Sequence, residues 1–294
     1  MWLFALLAIA WTGGCGGGGG AKDGHPAKGA CPTRIVSLAP SITETLFAIG
    51  AGNRVAGVTR FCVYPPEVKT KPNVGGFLDP NYEAIVALKP DLVVLLPSHG
   101  QSESYLKGLG LRVLSVKNEP VEEIFRTIAT LGTVCGASKT ADSLAASLRD
   151  RMRVVSERTY SLPKTRVLVS AGRTAGTGSL GSVYAAGPGT YYDEIITLAG
   201  GENAYRGRAI AYPELSAEAV IRLDPEVIID LVPDLGSRGL TAEKVRDDWK
   251  TLLEVRAVKN GRVHVLTGDY TTVPGPRFIL LLEDLARILH PERP

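Results

Sequence analysis

From Arg34 onward the chain alternates short apolar runs with amphipathic stretches of helical length: RIVSLAP, SITETLFAIGA, RVAGVT, DPNYEAIVALKP, DLVVLLP and LRVLSV follow in order. Apolar runs of this length predict buried strands, and their alternation with helices predicts an α/β chain with a largely parallel sheet. Ser41 is placed to cap the first helix, with Glu44 three residues on completing a capping box and Gly50 ending it. After Pro163 the alternation restarts with KTRVLVSAG, YYDEIITLAGG, SAEAVIRLDP, EVIIDLVP, GRVHVLT and RFILLLEDLARIL. The expected fold is therefore α/β with two lobes, residues 34–136 and 163–294, each a mainly parallel central sheet flanked by helices.

Residues 137–162 join the lobes. Leu144, Leu148, Met152 and Val155 recur there at helical spacing with no interior Gly or Pro, which predicts one long interlobe helix. At ~1.5 Å per residue, about 20 residues reach about 30 Å, enough for a strut between compact lobes.

The lobes share a repeat. Glu83 to Pro90 (EAIVALKP) followed by DLVV matches Glu218 to Pro225 (EAVIRLDP) followed by EVII without a gap. Each copy reads as a short helix, stopped near its proline, that feeds a buried strand. Chance is the alternative, because helix-loop-strand units of α/β proteins converge on such patterns.

Ahead of the lobes, Met1 to Ala10 (MWLFALLAIA) is an apolar run of signal-peptide length, well short of the ~20 residues that span a bilayer. Residues 1–14 are read as a signal peptide, and Thr12-Gly13-Gly14-Cys15 resembles the lipobox that precedes a lipidated cysteine. It departs from that pattern in having Thr12 where leucine is usual and no Lys or Arg before the apolar run. Lipidation of Cys15 is the expectation; a cleaved soluble export signal and an uncleaved anchor are the alternatives. Residues 15–33, beginning with a glycine run, carry too little apolar surface to fold and suit a flexible tether. The expected location is periplasmic or at the cell surface, held to a bacterial membrane by lipid.

Composition narrows the function. With 45% hydrophobic and 21% charged residues, the 294-residue chain is able to bury a sizeable core. Lys and Arg total 33 against 30 Asp and Glu, and a net charge of +3 argues against nucleic acid as a partner. Cysteines at 15, 31, 62 and 135 have neither the density of a disulfide scaffold nor the spacing of a zinc site. One disulfide among Cys31, Cys62 and Cys135 would leave a thiol over, and the pair is not readable from spacing.

Motifs of chemistry are few. Residues 176–181 (GTGSLG) match the dinucleotide fingerprint, but no helix opens at the last glycine and the next cannot start before about Thr190, so a glycine-rich loop or hairpin is expected. No Walker lysine motif, GxSxG, HExxH, CxxC or histidine pair at ligand spacing occurs, and no enzyme is expected. His99 follows a buried strand, where open α/β sheets place ligands; it is read as a solvated loop histidine, with axial coordination of a metal as the functional alternative. His264 is expected on a strand with a satisfied ring nitrogen, and Trp249 as a structural residue. Arg60, Arg173, Arg208 and Arg277 stand near predicted strand ends, where they could meet an anionic ligand or simply be surface charge. Free zinc or manganese would need several converging His and carboxylate ligands.

Several segments together, RIVSLAPSITETLFAIGAG, RFCVYPPE, VGGFLDPNYEAIVALKPDLVV, LAGGENAY, YPELSAEAVIRLDPEVII and GDYTTVPGPR, resemble the helical-backbone substrate-binding proteins of bacterial ABC importers, most closely the cobalamin-binding members. The likeness runs in order from Arg34 to about Leu289. It implies two lobes joined by one long helix, a ligand clamped between them, and delivery by a monomer to a permease dimer with a cytoplasmic ATPase. It implies docking roles for Glu83 and Glu218, one per lobe, toward arginines of the two permease subunits. Its ligand positions fall on Phe61, Tyr64, Phe77, Tyr212, Asp269, Tyr270 and Arg277. Aromatic walls suit a broad corrin or porphyrin face. Tryptophans expected on those walls are replaced here by Phe77, Tyr212 and Leu96. The expected ligand is cobalamin or a related corrinoid, with heme or a ferric siderophore as the alternative; an exported sensor or enzyme on the same two lobes is the competing class.

Overall fold

A computed structural model describes residues 31–207 and 210–292. The signal peptide, most of the tether, Cys15 and Arg208 lie outside the described residues.

The N-terminal lobe runs β1 (Ile35–Ser37), α1 (Pro40–Ala48), β2 (Val55–Val58), α2 (Tyr82–Ala87), β3 (Leu92–Leu95), α3 (Gly100–Gly108), β4 (Val113–Ser115) and α4 (Val121–Val134). Its sheet has the order β2-β1-β3-β4, parallel throughout. Then α5 (Ser138–Thr159) extends as one 22-residue helix, the expected strut. The C-terminal lobe follows with β5 (Thr165–Arg173), β6 (Val183–Ala185), α6 (Tyr191–Leu198), β7 (Gly201–Asn203), β8 (Glu214–Leu215), α7 (Ala217–Leu223), β9 (Val227–Leu231), α8 (Ala242–Trp249), α9 (Arg256–Lys259), β10 (Val263–Leu266) and α10 (Phe278–Leu289). Here the sheet is mixed: β10-β9-β5 and β7-β5 are parallel, whereas β5-β6 and β6-β8 are antiparallel. The glycine-rich segment 176–181 lies in the connection of the antiparallel β5-β6 pair, and α6 starts only after Thr190, whose hydroxyl accepts from the Asp193 N–H.

One helix start differs from expectation. Ser41 does not cap α1; the helix begins at Pro40 behind Ala39, with no side-chain cap. Proline at the first helical position has its φ preset and lacks an N–H that would need a cap. Glu44 is thereby free of the capping box and turns to Arg277 instead.

The repeat survives down to single dihedral angles. Among the described residues the non-glycine positions with positive φ are Lys89 (46°) and Asp224 (43°), which occupy the same place in the two copies. Each copy ends in the same bonding pattern: Arg34 Nη2 donates to the Leu88 carbonyl at 2.6 Å, and Arg166 Nη2 to the Leu223 carbonyl at 2.8 Å. The carboxylates of Asp91 and Glu226 accept the backbone N–H of those same two arginines. Convergence on a helix-loop-strand pattern would not reproduce a left-handed residue, an arginine on the helix end and a carboxylate on that arginine's amide. The two lobes share one structural unit.

Each sheet is covered on both faces, as parallel sheets require. Val36 and Val93 face one outer cluster and Leu168 and Ile228 another. Their neighbours Ile35, Leu92, Val94, Val167, Val227 and Ile229 all enter a single interior cluster. Leu148 and Val155 of α5 and Leu282 of α10 belong to that same cluster, so one core continues through both lobes. Arg151 on α5 also grips Glu283 on α10 with two bonds of 2.9 and 2.7 Å. No helix among the described residues is long and apolar enough to cross a membrane.

Candidate functional site

A cavity of about 1070 Å3 opens between the lobes, beyond the ordinary ~300–1,000 Å3 of small-molecule pockets. Its walls are the segments that leave the carboxyl ends of parallel strands: Ser41 after β1, Arg60 and Phe61 after β2, Leu96 after β3, Asp234 after β9 and Asp269 after β10. This is where open α/β sheets leave their loops free to form a site.

The walls are aromatic. Phe61, Tyr184 and Tyr212 line the cavity with 50%, 48% and 37% of their surfaces exposed, alongside Phe77 and Tyr192. Tyr192 is fixed by its hydroxyl, which donates to the Thr271 carbonyl at 3.1 Å, and its ring meets Tyr212 edge-on at 6.4 Å. Burial pushes the Tyr212 phenol up to about 12, so it stays a neutral hydroxyl at any physiological pH. Rings held this way present flat apolar area at little loss of conformational entropy.

Of the residues proposed from sequence, Phe61, Phe77, Tyr212 and Asp269 line the cavity. Tyr64, Tyr270 and Arg277 stand behind it. The Arg277 guanidinium binds Asp269 at 2.8 Å and Glu44 at 2.5 Å, and the Tyr64 ring covers it at 3.8 Å. Burial alone would lower Arg277, yet Glu44 and Asp269 outweigh it and hold the guanidinium above its usual range. The two carboxylates respond oppositely: burial raises Glu44, whereas the Arg277 hydrogen bond lowers the more open Asp269.

Two of the proposed residues are elsewhere. Arg173 is no ligand contact: its side chain is 1% exposed, donating to Asp230 at 2.7 and 2.9 Å and to Asp248 at 2.7 Å. Asp230 also accepts the Trp249 indole N–H, and Asp248 accepts the N–H groups of Gly176 and Gly178. Arg173 therefore ties the glycine-rich hairpin to α8, and Trp249 is structural as expected. His99 is 3% exposed rather than solvated, with Nδ1 3.1 Å from the Leu96 backbone and its ring edge-on to Phe77 at 4.5 Å. Its Nε2 is buried without a partner, and the ring sits behind Phe77 and Leu96 rather than in the cavity lining. His264 lies on β10 as expected, but its Nε2 has no partner, and burial holds its pKa below the usual histidine value. No group of three or more His, Cys, Asp or Glu side chains among the described residues is arranged to hold a metal ion.

Sequence reasoning missed Tyr184, Tyr192, Asn118 and Glu119. Tyr184 carries a weak signal, its alternation with the apolar Val183 and Ala185; the structure exposes it between those two buried neighbours. Glu119 has none, lying in an irregular link after β4; burial raises its carboxyl, partly offset by the backbone N–H of Tyr191.

Charge in the cavity is acidic. Among the described lining residues the charged ones are Arg60, Glu119, Asp234 and Asp269. Arg60 is paired with Asp79 at 2.9 Å. Arg60 is thus the one cation among the described lining residues, and its Nη2 is engaged by Asp79.

A family model described as periplasmic binding protein matches residues 35–270. The chain belongs to the periplasmic binding protein family. An uncharacterised ABC transporter substrate-binding lipoprotein of Bacillus subtilis is 31% identical over 269 residues, covering 89% of this chain and 81% of its own. The crystal structure of a periplasmic vitamin B12 binding protein of Vibrio cholerae superposes with a TM-score of 0.75 at 25% identity, covering 88% of this chain and 97% of its own. A periplasmic heme binding protein of Pseudomonas aeruginosa does so with 0.76 at 25% identity, covering 90% and 94%. Family members thus share this two-lobed α/β fold while carrying different ligands.

The two glutamates of the repeat stand in equivalent places. Glu83 is exposed in the first turn of α2, capped by the Asn81 side chain, and Glu218 is exposed in the first turn of α7, capped by Ser216.

Proposed function

We propose that this protein is the extracytoplasmic substrate-binding component of an ABC importer and that its cargo is cobalamin or a related corrinoid. One observation carries the choice of cargo: the cavity joins aromatic walls to carboxylates and offers no unpaired arginine among its described lining residues. Heme presents carboxylates at its edge, and many ferric siderophores are anionic; both call for cations, of which the described lining offers only Arg60, already paired with Asp79. A corrinoid presents a broad face to the aromatic rings and a rim of amide N–H donors, which carboxylate and phenol oxygens accept. The pairing of Arg173 and Arg277 with Asp230, Asp248, Glu44 and Asp269 supports the same choice, since it engages both guanidinium groups within the protein.

The remaining parts follow from the sequence and the family. The leader and Cys15 export and anchor the chain, residues 15–33 tether it, and Glu83 and Glu218 dock the two lobes on a permease dimer served by a cytoplasmic ATPase. Chemistry is left to no residue, and the cargo is released unaltered. Titration of the purified protein with cyanocobalamin, cobinamide, hemin and a ferric siderophore decides the cargo. The two corrinoids are expected to bind at micromolar or tighter affinity and the other two far more weakly; the reverse order would refute the corrinoid reading.

A further inference from the structure

We propose that Cys31 and Cys135 are a disulfide-forming pair that closes the N-terminal lobe at the root of the tether. Three cysteines fall within the described residues, and the structure sorts them. Cys62 is committed elsewhere: its thiol sits in the lobe interior, 3.2 Å from the Thr43 hydroxyl and 3.3 Å from that of Thr59. Cys31 instead lies against the end of α4. A Cβ built on Gly136 would stand 2.9 Å from the Cys31 sulfur, so the missing side chain is what makes room for that thiol. Gly136 directly follows Cys135 and adopts φ +63°, the left-handed turn that ends a helix. The glycine thus serves two demands at once, the turn and the approach of a sulfur to the residue beside it.

Burial pushes the Cys135 thiol up, an effect that the positive charge of Arg54 and Arg112 offsets only in part, and the nearby Cys31 thiol adds to it. Arg54 Nη1 donates to the Cys135 carbonyl at 2.7 Å, which fixes that cation close by. Cys31 is partly exposed and Cys135 is 1% exposed, which sets the order of events. The Cys31 thiolate attacks the disulfide of an oxidant, forming a mixed disulfide and expelling one thiolate. Once the Cys135 thiol has given up its proton, its thiolate attacks the Cys31 sulfur and expels the oxidant's second thiolate. Two thiols give up two protons and two electrons, and the oxidant's disulfide becomes a dithiol or two thiols.

In the cell the oxidant would be a disulfide-carrying exchange protein of the extracytoplasmic space, so biological use of the pair rests on the export proposed above. The closed loop, residues 31–135, contains the whole N-terminal sheet and returns to within three residues of α5. A pull on the tether would then be carried by the helix ends rather than by the short strand β1.

The test supplies its own oxidant and is independent of export and of cargo. Purified, reduced full-length chain is incubated with oxidised glutathione, alkylated with iodoacetamide, digested and mapped by mass spectrometry. A peptide linking Cys31 to Cys135, with Cys62 alkylated, is expected, and the C31S variant should show Cys135 alkylated. Glutathione retained on Cys31 beside an alkylated Cys135, or a link from Cys31 to Cys15 or Cys62, would overturn the pairing.

Discussion

Arg277 of the C-terminal lobe and Glu44 of the N-terminal lobe form a two-point pair, Nε to Oε2 at 2.9 Å and Nη2 to Oε1 at 2.5 Å, between residues 233 positions apart. Glu44 is 3% exposed at its side chain, so the pair ties the two lobes together with its carboxylate away from water. Substituting Arg277→Met leaves that carboxylate buried and unpaired. Such a loss typically costs ~3–5 kcal/mol. The thermal midpoint should drop by about 10 °C. Calorimetry that finds the midpoint within a degree of the parent would show that the pair holds nothing.

Acidification reads out Glu119. Its carboxyl is raised above 4.5, chiefly by burial. If ligand amides donate to it, its pKa in the complex falls below that of the free protein, and the complex then binds fewer protons. Affinity is therefore full above the free-protein value, which is raised beyond 4.5, and declines as pH drops through it. Glu119→Gln should weaken corrinoid binding roughly 10-fold at pH 7. It should also flatten the pH profile. Isothermal titration from pH 7 to 4.5 checks both, and a sloping profile in the variant would point to a different group.

The proposed docking role of Glu83 and Glu218 separates cleanly from ligand capture, because both are exposed and neither lines the cavity. Reversing both charges, Glu83→Lys with Glu218→Lys, should abolish association with the permease and leave corrinoid affinity within twofold. A pull-down in which the double variant still binds the permease removes the role.

Lys89 and Asp224 share a left-handed conformation but differ in what their side chains do. Asp224 accepts from the Arg256 backbone and guanidinium at 2.8 and 2.7 Å. Lys89→Gly should therefore stabilise the protein by about 1 kcal/mol, by removing left-handed strain. Asp224→Gly should destabilise it, because an ion pair and a capped helix end are lost. Urea unfolding of the two variants gives the signs directly; a destabilised Lys89→Gly would mean that the strain is already relieved elsewhere.

How far these features could be read in advance depends on sequence distance. The alternation of strands and helices, the strut and the repeat are local patterns, and the strut falls within a residue of 137 and three of 162. The late start of α6 was legible from missing helix signals around residues 182–189. Arg173 was misread because its partners Asp230 and Asp248 lie 57 and 75 positions away, and nothing near a strand-end arginine announces that it turns inward. Glu44 was assigned to a capping box for the same reason: its local partner Ser41 is visible in sequence, whereas Arg277 is not. His99 is drawn under Phe77 by a short helical turn at Pro97–His99 that looks like open loop in sequence. Tyr184 shows in sequence only an alternation with the apolar Val183 and Ala185; that it faces the cavity is visible from the fold alone.

Because one apolar interior runs from the strands of one lobe through α5 and α10 to the strands of the other, the jaws cannot swing apart on a soft joint. Parting them means tearing oily contacts open to water, and thermal agitation alone does that seldom. Whatever empties this vessel has to bring the wrenching force with it.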